Sequence, residues 1–294
     1  MSSRWPLALA AALVALATVE TAASLVRPTR VASDGDWRAA ADEVRAGFHE
    51  GDLIAFAPAW ADQTGRRWLG DLIPRAIAGR SSDDRFARVW VVSIRGGTYA
   101  ETPATSPAID HAHGRVRVQM YNRTSVAVGE DFTADLSAAR VTQVPTDGSG
   151  DERPCFAATP DGRNDRDDGF TCASTRVGRR TLEIDYRPRL GVLVPADGAL
   201  TTRLEWPAIA MGKELRVWSG IHDYYARKNA DAPAQLSVLV DGVPQARVEV
   251  NNRGWQPLSV DTRAFAGTTH AVRFDISARA PAWRNVGFHA EVRP

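Results

Sequence analysis

The densest group of potentially reactive side chains lies in residues 220–231, with the sequence GIHDYYARKNAD. Sugar-binding sites combine an aromatic face with a few fixed hydrogen-bonding groups, and this segment offers both between two predicted strands. The alternative is a structural loop, in which a tyrosine packs inward and Asp223 caps the turn or pairs with Arg227 or Lys228. The candidate ligand-binding residues, including three from neighbouring loops, are His222, Asp223, Tyr224, Tyr225, Lys228, Asn229, Trp255, Trp283 and Arg284.

His222 and Asp223 could form a general-base pair, but no nucleophile accompanies them in the sequence. The chain also lacks a metal motif, a P-loop and a nucleophile elbow. We therefore assign no catalytic residue and favour a role without catalysis.

Residues 161–169, DGRNDRDDG, raise the question of calcium, because hard cations bind several carboxylate oxygens on a loop. An EF-hand pattern is absent, since Arg163 stands at the third position and no glutamate closes a twelve-residue loop. Two interleaved arginines also weaken the negative field. We favour a solvated loop without metal or cofactor over a calcium site formed by Asp161, Asp165, Asp167 and Asp168.

The N-terminal segment, residues 1–30, is typical of a signal peptide or a signal anchor. Leu7 to Val19 carries no charge, Arg4 precedes it and Glu20 follows it. The run from Trp5 to Val26 approaches the ~20 residues of a membrane-spanning helix, and no Ala-x-Ala cleavage site is present. We favour a membrane helix that anchors an extracytoplasmic protein, with secretion after cleavage as the alternative.

Cys155 and Cys172 are the only two cysteines. A pair in an exported protein is usually bridged, and zinc is disfavoured because no CxxC motif or nearby histidine accompanies them. The sequence therefore predicts a disulfide.

The length and the net charge of the chain limit its number of domains and its classes of partner. The 294 residues suffice for two domains, and the net charge of +1 gives no reason to expect a nucleic-acid partner.

Residues 31–125 predict a small α/β domain. The order of strand, helix and strand favours a parallel pair, and the alternating segment Gly114 to Tyr121 is predicted as an edge strand. Ser33 and Asp34 are predicted to cap the first helix. The other predicted elements are helices over 37–48 and 68–78 and strands over 53–56 and 88–94.

Residues 126–294 predict an antiparallel β-sandwich of roughly eight to ten strands, with jelly-roll topology. Short alternating runs are separated by turn residues such as Asp241-Gly242 and Ala266-Gly267. The fold class is thus α+β with several domains: an N-terminal membrane helix, a small α/β domain and a C-terminal sandwich. The clearest strands are predicted at 132–144, 182–186, 191–194, 214–218, 234–240, 246–250, 258–260, 270–276 and 286–292.

The α/β segment resembles the soluble extracytoplasmic tail of polytopic membrane glycosyltransferases of the protein-mannosyltransferase and aminoarabinose-transferase type. Those enzymes keep their catalytic acidic residues on loops between many membrane helices, so the resemblance implies a periplasmic accessory domain and does not imply glycosyl transfer. The residues that carry it are Trp37, Gly51, Asp52, Pro58, Arg88, Val89, Trp90, Gly114 and Tyr121.

The C-terminal segment resembles the galactose-binding-like sandwich found in many carbohydrate-binding modules. The resemblance implies this fold, and it implies glycan binding only by analogy, because the fold hosts many functions. The supporting segments are Leu215–Val217, Val238–Gly242, Trp255, Val260-Asp261, Ala266-Gly267 and Val272–Phe274.

The tryptophans divide into two groups. Trp90 and Trp218 lie inside strand patterns and are predicted to be core. Trp60, Trp68, Trp255 and Trp283 lie near turns, where they could be exposed stacking faces or structural plugs.

These observations favour a non-catalytic envelope protein that binds glycan or a protein partner through its sandwich. The alternatives are an enzyme or accessory subunit in the transfer of envelope glycans or lipid-linked sugars, and a structural subunit of an envelope complex.

Overall fold

The computed structural model describes residues 5–26, 31–102, 104–158, 169–173, 175–196, 198–222, 233–251, 254–278 and 284–294. The chain divides into two compact units. The first comprises Met1–Leu72 and Arg88–Arg123, and the second comprises Ile73–Ala87 and Thr124–Pro294. Residues 73–87, which the sequence analysis places inside the N-terminal domain, thus belong with the second unit.

Three α-helices lie in the first unit: α1 (Trp5–Val26), α2 (Asp34–Gly47) and α3 (Asp62–Leu69). Helix α2 begins with a capping box, in which the Asp36 backbone N–H donates to Ser33 Oγ and the Ser33 backbone N–H donates to the Asp36 carboxylate, both at 3.1 Å. The cap predicted at Ser33 is confirmed.

The predicted helix over 68–78 is wrong. Helix α3 ends at Leu69 and a 3₁₀ turn follows at Gly70–Leu72, while α4 (Arg75–Ala78) is a separate single turn. Pro74 explains the break, because a proline ring excludes the preceding residue from helical geometry and supplies no N–H.

The first unit contains a four-stranded sheet in the order β1 (Leu53–Ala57), β2 (Arg88–Ile94), β4 (Val116–Asn122) and β3 (Ile109–His113). Strands β1 and β2 are parallel, as predicted, and the other neighbours are antiparallel. The prediction that the Gly114–Tyr121 segment forms an edge strand is wrong, because β3 covers it. Strand β3 was missed because its sequence, IDHAH, has little apolar alternation and its side chains are largely exposed.

Helix α1 occupies the predicted leader segment, and its described side chains from Leu9 to Ala22 are exposed. In the parts of the chain that the structure describes, no helix combines the length and apolarity required to cross a membrane.

The second unit is a β-sandwich of two mainly antiparallel sheets, which confirms the predicted sandwich. The eight-stranded sheet has the order β16 (Gln256–Asp261), β13 (Glu214–Ile221), β18 (Arg284–Arg293), β11 (Arg187–Ala196), β10 (Thr175–Ile184), β9 (Gly169–Cys172) and β8 (Phe156–Ala157), with β5 (Glu130–Asp131) beside β18. The six-stranded sheet has the order β15 (Val243–Val250), β14 (Ala234–Val240), β17 (Thr269–Ala278), β12 (Leu200–Ala210), β6 (Arg140–Pro145) and β7 (Arg153–Pro154).

The described strands outnumber the eight to ten expected because β5, β7 and β8 contain only two residues each. The strand expected at 132–144 is also shorter than predicted. A 3₁₀ turn at Leu136–Ala138 precedes β6, and Phe132 reaches the core from outside the strand.

Aromatic side chains from both sheets meet in the sandwich core. Phe274 of β17 lies 5.1 Å from Phe288 of β18, measured between ring centroids. Phe132 and Trp206 pack edge-to-face at 5.0 Å, and Phe132 meets Phe274 at 5.2 Å. Such pairs stabilise by ~0.5–1.5 kcal/mol beyond simple burial, so these four rings hold the two sheets in register.

The predicted disulfide between Cys155 and Cys172 is present. It links the segment between β7 and β8 to the end of β9, and Cys172 is buried.

Replacing both cysteines by serine should lower the free energy of unfolding by roughly 3 kcal/mol, because the bridge restricts the unfolded chain. Urea unfolding of the full-length protein would measure this. Dithiothreitol should shift the wild-type midpoint and leave the double variant unchanged. An equal response of both proteins would contradict a stabilising bridge.

Gly65 within α3 and Gly70 at its C-terminal end provide a matched test of packing in the first unit. A Cβ at Gly65 would approach Phe56 Cε1 to 1.9 Å, whereas a Cβ at Gly70 would meet nothing closer than Arg66 Cβ at 3.7 Å. We expect Gly65→Ala to lower the free energy of unfolding by roughly 1–3 kcal/mol. Gly70→Ala should remain within ~0.5 kcal/mol of wild type. Coincident urea unfolding curves for the two variants would refute this packing.

Candidate functional site

The ligand site predicted at the end of the sandwich is described only in part. Asp223, Tyr224, Tyr225, Lys228, Asn229 and Trp283 lie outside the described residues. His222 follows β13 directly, and its backbone N–H donates to the carbonyl of Asn285 in β18 at 2.9 Å. His222 and Arg284 therefore lie at neighbouring strand ends, and the predicted ligand site remains a prediction.

Trp255 and Arg284 do not form an exposed platform. Trp255 is 6% exposed and packs with Trp218 and Leu193, and its indole N–H donates to the Arg187 carbonyl at 2.9 Å. Arg284 is fully buried at the start of β18. Gly287 lies beside the cluster around Trp255, where a Cβ would approach Leu182 Cδ1 to 2.5 Å.

A second region of the sandwich, on the six-stranded sheet, contains a cavity of about 400 Å³. Its described lining is polar or small and includes Gln235, Arg247, Glu249 and Ser277. None of these lining residues is aromatic, so the cavity offers a sugar ring no stacking surface.

The first unit contains a better-formed site, here called the Trp60 cleft. It has a volume of about 440 Å³, within the range of small-molecule sites. The described residues that line it are Val31, Ala32, Asp34, Trp37, Trp60, Thr64, Arg67, Trp68, Ile94, Arg95, Gly96, Gly114 and Arg115.

The sheet topology explains where the Trp60 cleft forms. Parallel strands β1 and β2 end at Ala57 and Ile94, and antiparallel β4 begins at Val116, which pairs with Ile94. The lining residues come from the ends of these strands, from the segment before α2 and its first turn, and from α3. Ligands of α/β proteins commonly bind outside the carboxyl ends of parallel strands.

Trp60 forms an aromatic wall of the cleft and remains 46% exposed. Buried Trp37 and half-buried Trp68 also line the cleft. The guanidinium carbon of Arg67 lies 5.7 Å from the centroid of Trp68, within the distance of a cation–π contact.

A tight turn after β2 places Arg95 beside Trp60. The backbone N–H of Gly97 donates to the Ile94 carbonyl at 2.9 Å, and the two central residues have φ of 55° at Arg95 and 67° at Gly96. A non-glycine residue in this region is uncommon and is often found at functional sites. The turn holds the Arg95 guanidinium carbon 5.5 Å from the Trp60 ring centroid.

Asp36 does not line the cleft but binds the backbone of Arg115, which does. Its carboxylate accepts hydrogen bonds from the backbone N–H groups of Ser33 and Arg115, at 3.1 and 3.2 Å. These hydrogen bonds and the Ser33 hydroxyl lower the pKa of Asp36, which is therefore an ionised structural group. Gly114 is required beside it, because a Cβ there would lie 2.3 Å from the Asp36 carboxylate and φ is +58°.

A chain of polar groups that sequence analysis missed lies in the sandwich. Thr133 Oγ1 is 2.9 Å from His289 Nδ1, and His289 Nε2 is 3.3 Å from Glu291 Oε2. The order of hydroxyl, imidazole and carboxylate resembles a catalytic triad in composition. All three residues are at most 1% exposed, so a substrate has no access and the arrangement is structural.

Arginines complete this buried network. Arg293 Nε donates to Glu291 Oε1 at 2.9 Å, and Arg85 donates to Glu291 Oε2 at 3.0 Å. Burial alone raises the pKa of Glu291, but the hydrogen bonds and charges of His289 and Arg293 outweigh it and lower the pKa to about 2. Trp218 covers the network, with its ring stacked 5.5 Å from that of His289.

No group of three or more His, Cys, Asp or Glu side chains that could hold a metal ion occurs among the described residues. Glu43 contacts His111 and His113 through its two carboxylate oxygens, which makes this surface cluster an ion-pair group. The acidic segment with Asp161, Asp165, Asp167 and Asp168 lies outside the described residues.

Comparisons with known proteins give only remote structural matches. No family model and no curated protein matches the chain. The second carbohydrate-binding module of family 51 of Clostridium perfringens ZmpB, in complex with GlcNAc, matches at 16% identity and a TM-score of 0.32, over 53% of this chain and 37% of that one. The C-terminal family 6 module of the Zobellia galactanivorans enzyme LamC matches at 11% identity and a TM-score of 0.25, over 39% and 87%.

A family 61 module in complex with β-1,4-galactotriose matches at 15% identity and a TM-score of 0.25, over 36% of this chain and 72% of that one. The chain spans only 18% to 37% of the three ZmpB chains that it matches. At these TM-scores the likeness carries no argument, and the sandwich rests on its own two sheets. These matches give no support to the resemblance between residues 31–125 and the glycosyltransferase tail.

The buried carboxylate predicts a pH dependence. The pKa of Glu291 is lowered on folding from 4.5 to about 2, so its stabilisation is present above pH ~4.5 and is lost as the pH falls towards 2. Glu291→Gln should lower the free energy of unfolding at pH 7 by about 3 kcal/mol. It should also reduce the fall in stability between pH 5 and pH 2.

Urea unfolding of the full-length protein at pH 7, 5 and 3 would test this. Glu183→Gln, which changes an exposed carboxylate on the same sheet, is the matched control. A loss of stability with acid that is the same for wild type and Glu291→Gln would contradict the assignment.

Proposed function

We propose that this chain is an exported, non-catalytic glycan-binding protein and that the Trp60 cleft holds the sugar. The observation that carries the proposal is the 46% exposed Trp60 ring in a cleft of about 440 Å³, beside a guanidinium held by a strained turn. An indole face packs against the C–H face of a sugar ring, and adjacent charged groups bind its hydroxyls.

The disulfide between Cys155 and Cys172 supports export, because such bonds persist in oxidising compartments. The apolar segment from Leu7 to Val19 is consistent with export by a signal peptide or an anchor. An envelope location follows from both features.

The composition of the cleft supports binding without catalysis. Of its described lining residues only Asp34 is a carboxylate, and none is His or Cys. Hydrolysis of a glycosidic bond ordinarily requires two carboxyl groups on either side of the bond. The cleft thus favours recognition over an enzymatic role in transferring envelope glycans or lipid-linked sugars.

The segment of residues 220–231 is the second candidate glycan site, because its sequence combines aromatic and hydrogen-bonding residues. Tyr224 and Tyr225 are the sequence-predicted aromatic groups of that site. The two sites can be separated by variants of each.

We expect full-length protein to bind envelope polysaccharides or a subset of an immobilised glycan array. Trp60→Ala should weaken that binding about tenfold or more, equivalent to about 1.4 kcal/mol, because the stacking surface is lost. Tyr186→Ala is the matched control, since Tyr186 is 47% exposed in the other unit. Circular dichroism and urea unfolding would establish that each variant is folded.

Binding that survives Trp60→Ala but is lost in a Tyr224→Ala, Tyr225→Ala double variant would move the site to the sandwich. Protein that binds no glycan would refute glycan recognition. A pull-down from membranes would then test the roles of protein-binding and structural envelope subunit.

A further inference from the structure

The arginines of the Trp60 cleft define the charge of its ligand. We infer that the cleft selects an acidic saccharide, in which a carboxylate, sulfate or phosphate is attached to the sugar. This inference rests on the proposed function, since it assumes that the ligand is a glycan and adds the chemistry by which it is distinguished.

Three arginines line the cleft: Arg67, Arg95 and Arg115. All three are exposed, and none forms an ion pair with a carboxylate in the described part of the chain. Asp34 is the single carboxylate among the described lining residues. The cleft therefore carries an excess of positive charge, although the whole chain has a net charge of only +1.

Three other arginines of the same unit are paired with carboxylates. Arg45 donates to Asp71 at 2.5 and 2.8 Å, Arg66 donates to Asp62 at 2.6 Å, and Arg117 binds Asp110 through two nitrogens. The guanidinium groups that face the cleft differ from these by being open to an incoming anion. A guanidinium group binds carboxylate, sulfate and phosphate through parallel N–H donors, which makes it the usual recognition group for such anions.

The nearest acidic group does not cancel this charge by pairing with a side chain. Asp36 accepts hydrogen bonds from the backbone N–H groups of Ser33 and Arg115, and the charge of Arg115 also helps to lower its pKa. Asp36 therefore offsets part of the Arg115 charge without forming an ion pair with the guanidinium. Arg95 is held beside Trp60 by the turn at Ile94–Gly97. A sugar stacked on Trp60 would thus place a ring substituent within reach of Arg95.

Matched pairs of glycans test the inference with full-length protein. Oligogalacturonate would be compared with its fully methyl-esterified form of the same length, and a sulfated galactan with its desulfated form. We expect the acidic member of at least one pair to bind about tenfold more tightly. Its affinity should fall between 50 and 500 mM NaCl, because salt screens exposed charges.

Arginine variants test whether the preference for acidic glycans arises in the Trp60 cleft. Arg95→Gln and Arg115→Gln should each reduce the affinity for the acidic glycan about fivefold to tenfold. Each should reduce the affinity for the neutral partner by a clearly smaller factor, because only the contacts to its hydroxyl groups are lost. Arg117→Gln is the control, because that exposed arginine is engaged with Asp110 and lies outside the cleft lining. Thermal unfolding would confirm that the variants are folded.

The outcomes distinguish the selectivity for acidic saccharides from the glycan binding on which it rests. Equal binding of acidic and neutral partners, with loss in Trp60→Ala, would overturn the acidic selectivity and retain the glycan cleft. Absence of binding to every glycan would overturn both. Inorganic sulfate would also be tested as a competitor at the same charge concentration. If it competes as effectively as the acidic oligosaccharide, the cleft is a simple anion site, and saccharide recognition is overturned.

Discussion

A carboxylate without exposed surface, Glu291, imposes the strictest requirement on the sandwich. It lies on β18, whose neighbouring residues Ala290 and Val292 point into the apolar core. The opposite face of the strand would normally meet water, yet His289 and Glu291 are fully buried there. An unpaired buried charge costs several kcal/mol, so the sandwich must supply cations and hydrogen-bond donors to this face. Residues 73–87 and Arg293 meet that requirement, and Trp218 shields the network from solvent.

Local patterns were sufficient to predict most of the strands and insufficient to predict what covers them. Strand β14 was predicted at its observed bounds, because the alternation of apolar residues that identifies a strand lies entirely within the segment. The sequence predicts β18 as a strand, and the polar residues His289, Glu291 and Arg293 alternate on one of its faces. That face is buried because Arg85, which is 206 residues away in sequence, packs on it. A contact between residues so far apart in sequence produces no pattern in either local segment. Strand β3 was not predicted because an edge strand need not be apolar, so it lacks the alternation that identifies a strand.

The Trp60 cleft likewise could be predicted from the sequence only in part. Trp60 and Trp68 were singled out as residues near turns, but sequence alone could not distinguish a stacking face from a plug. The cleft depends on a turn conformation at Arg95 and on which arginines lack partners, and both are properties of the assembled unit. Trp255 had a comparable sequence context and is buried, because it packs in a cluster with Leu182, Ile184, Leu193 and Trp218.

The division of the chain has a consequence for the order of synthesis. Arg85 and Asp84 are made 206 and 209 residues before their respective partners Glu291 and Arg293. At about 5–20 residues per second, some 10–40 seconds separate the two on the ribosome. Until β18 is complete, Arg85 and Asp84 lack these partners, although Gly79 and Ser81 of the same segment can already bind Leu190 and Arg189 of β11. The second unit therefore cannot complete this network before β18 is made, and a chain truncated shortly before β18 would leave Arg85 unpaired with Glu291 and an apolar sheet exposed to proteases.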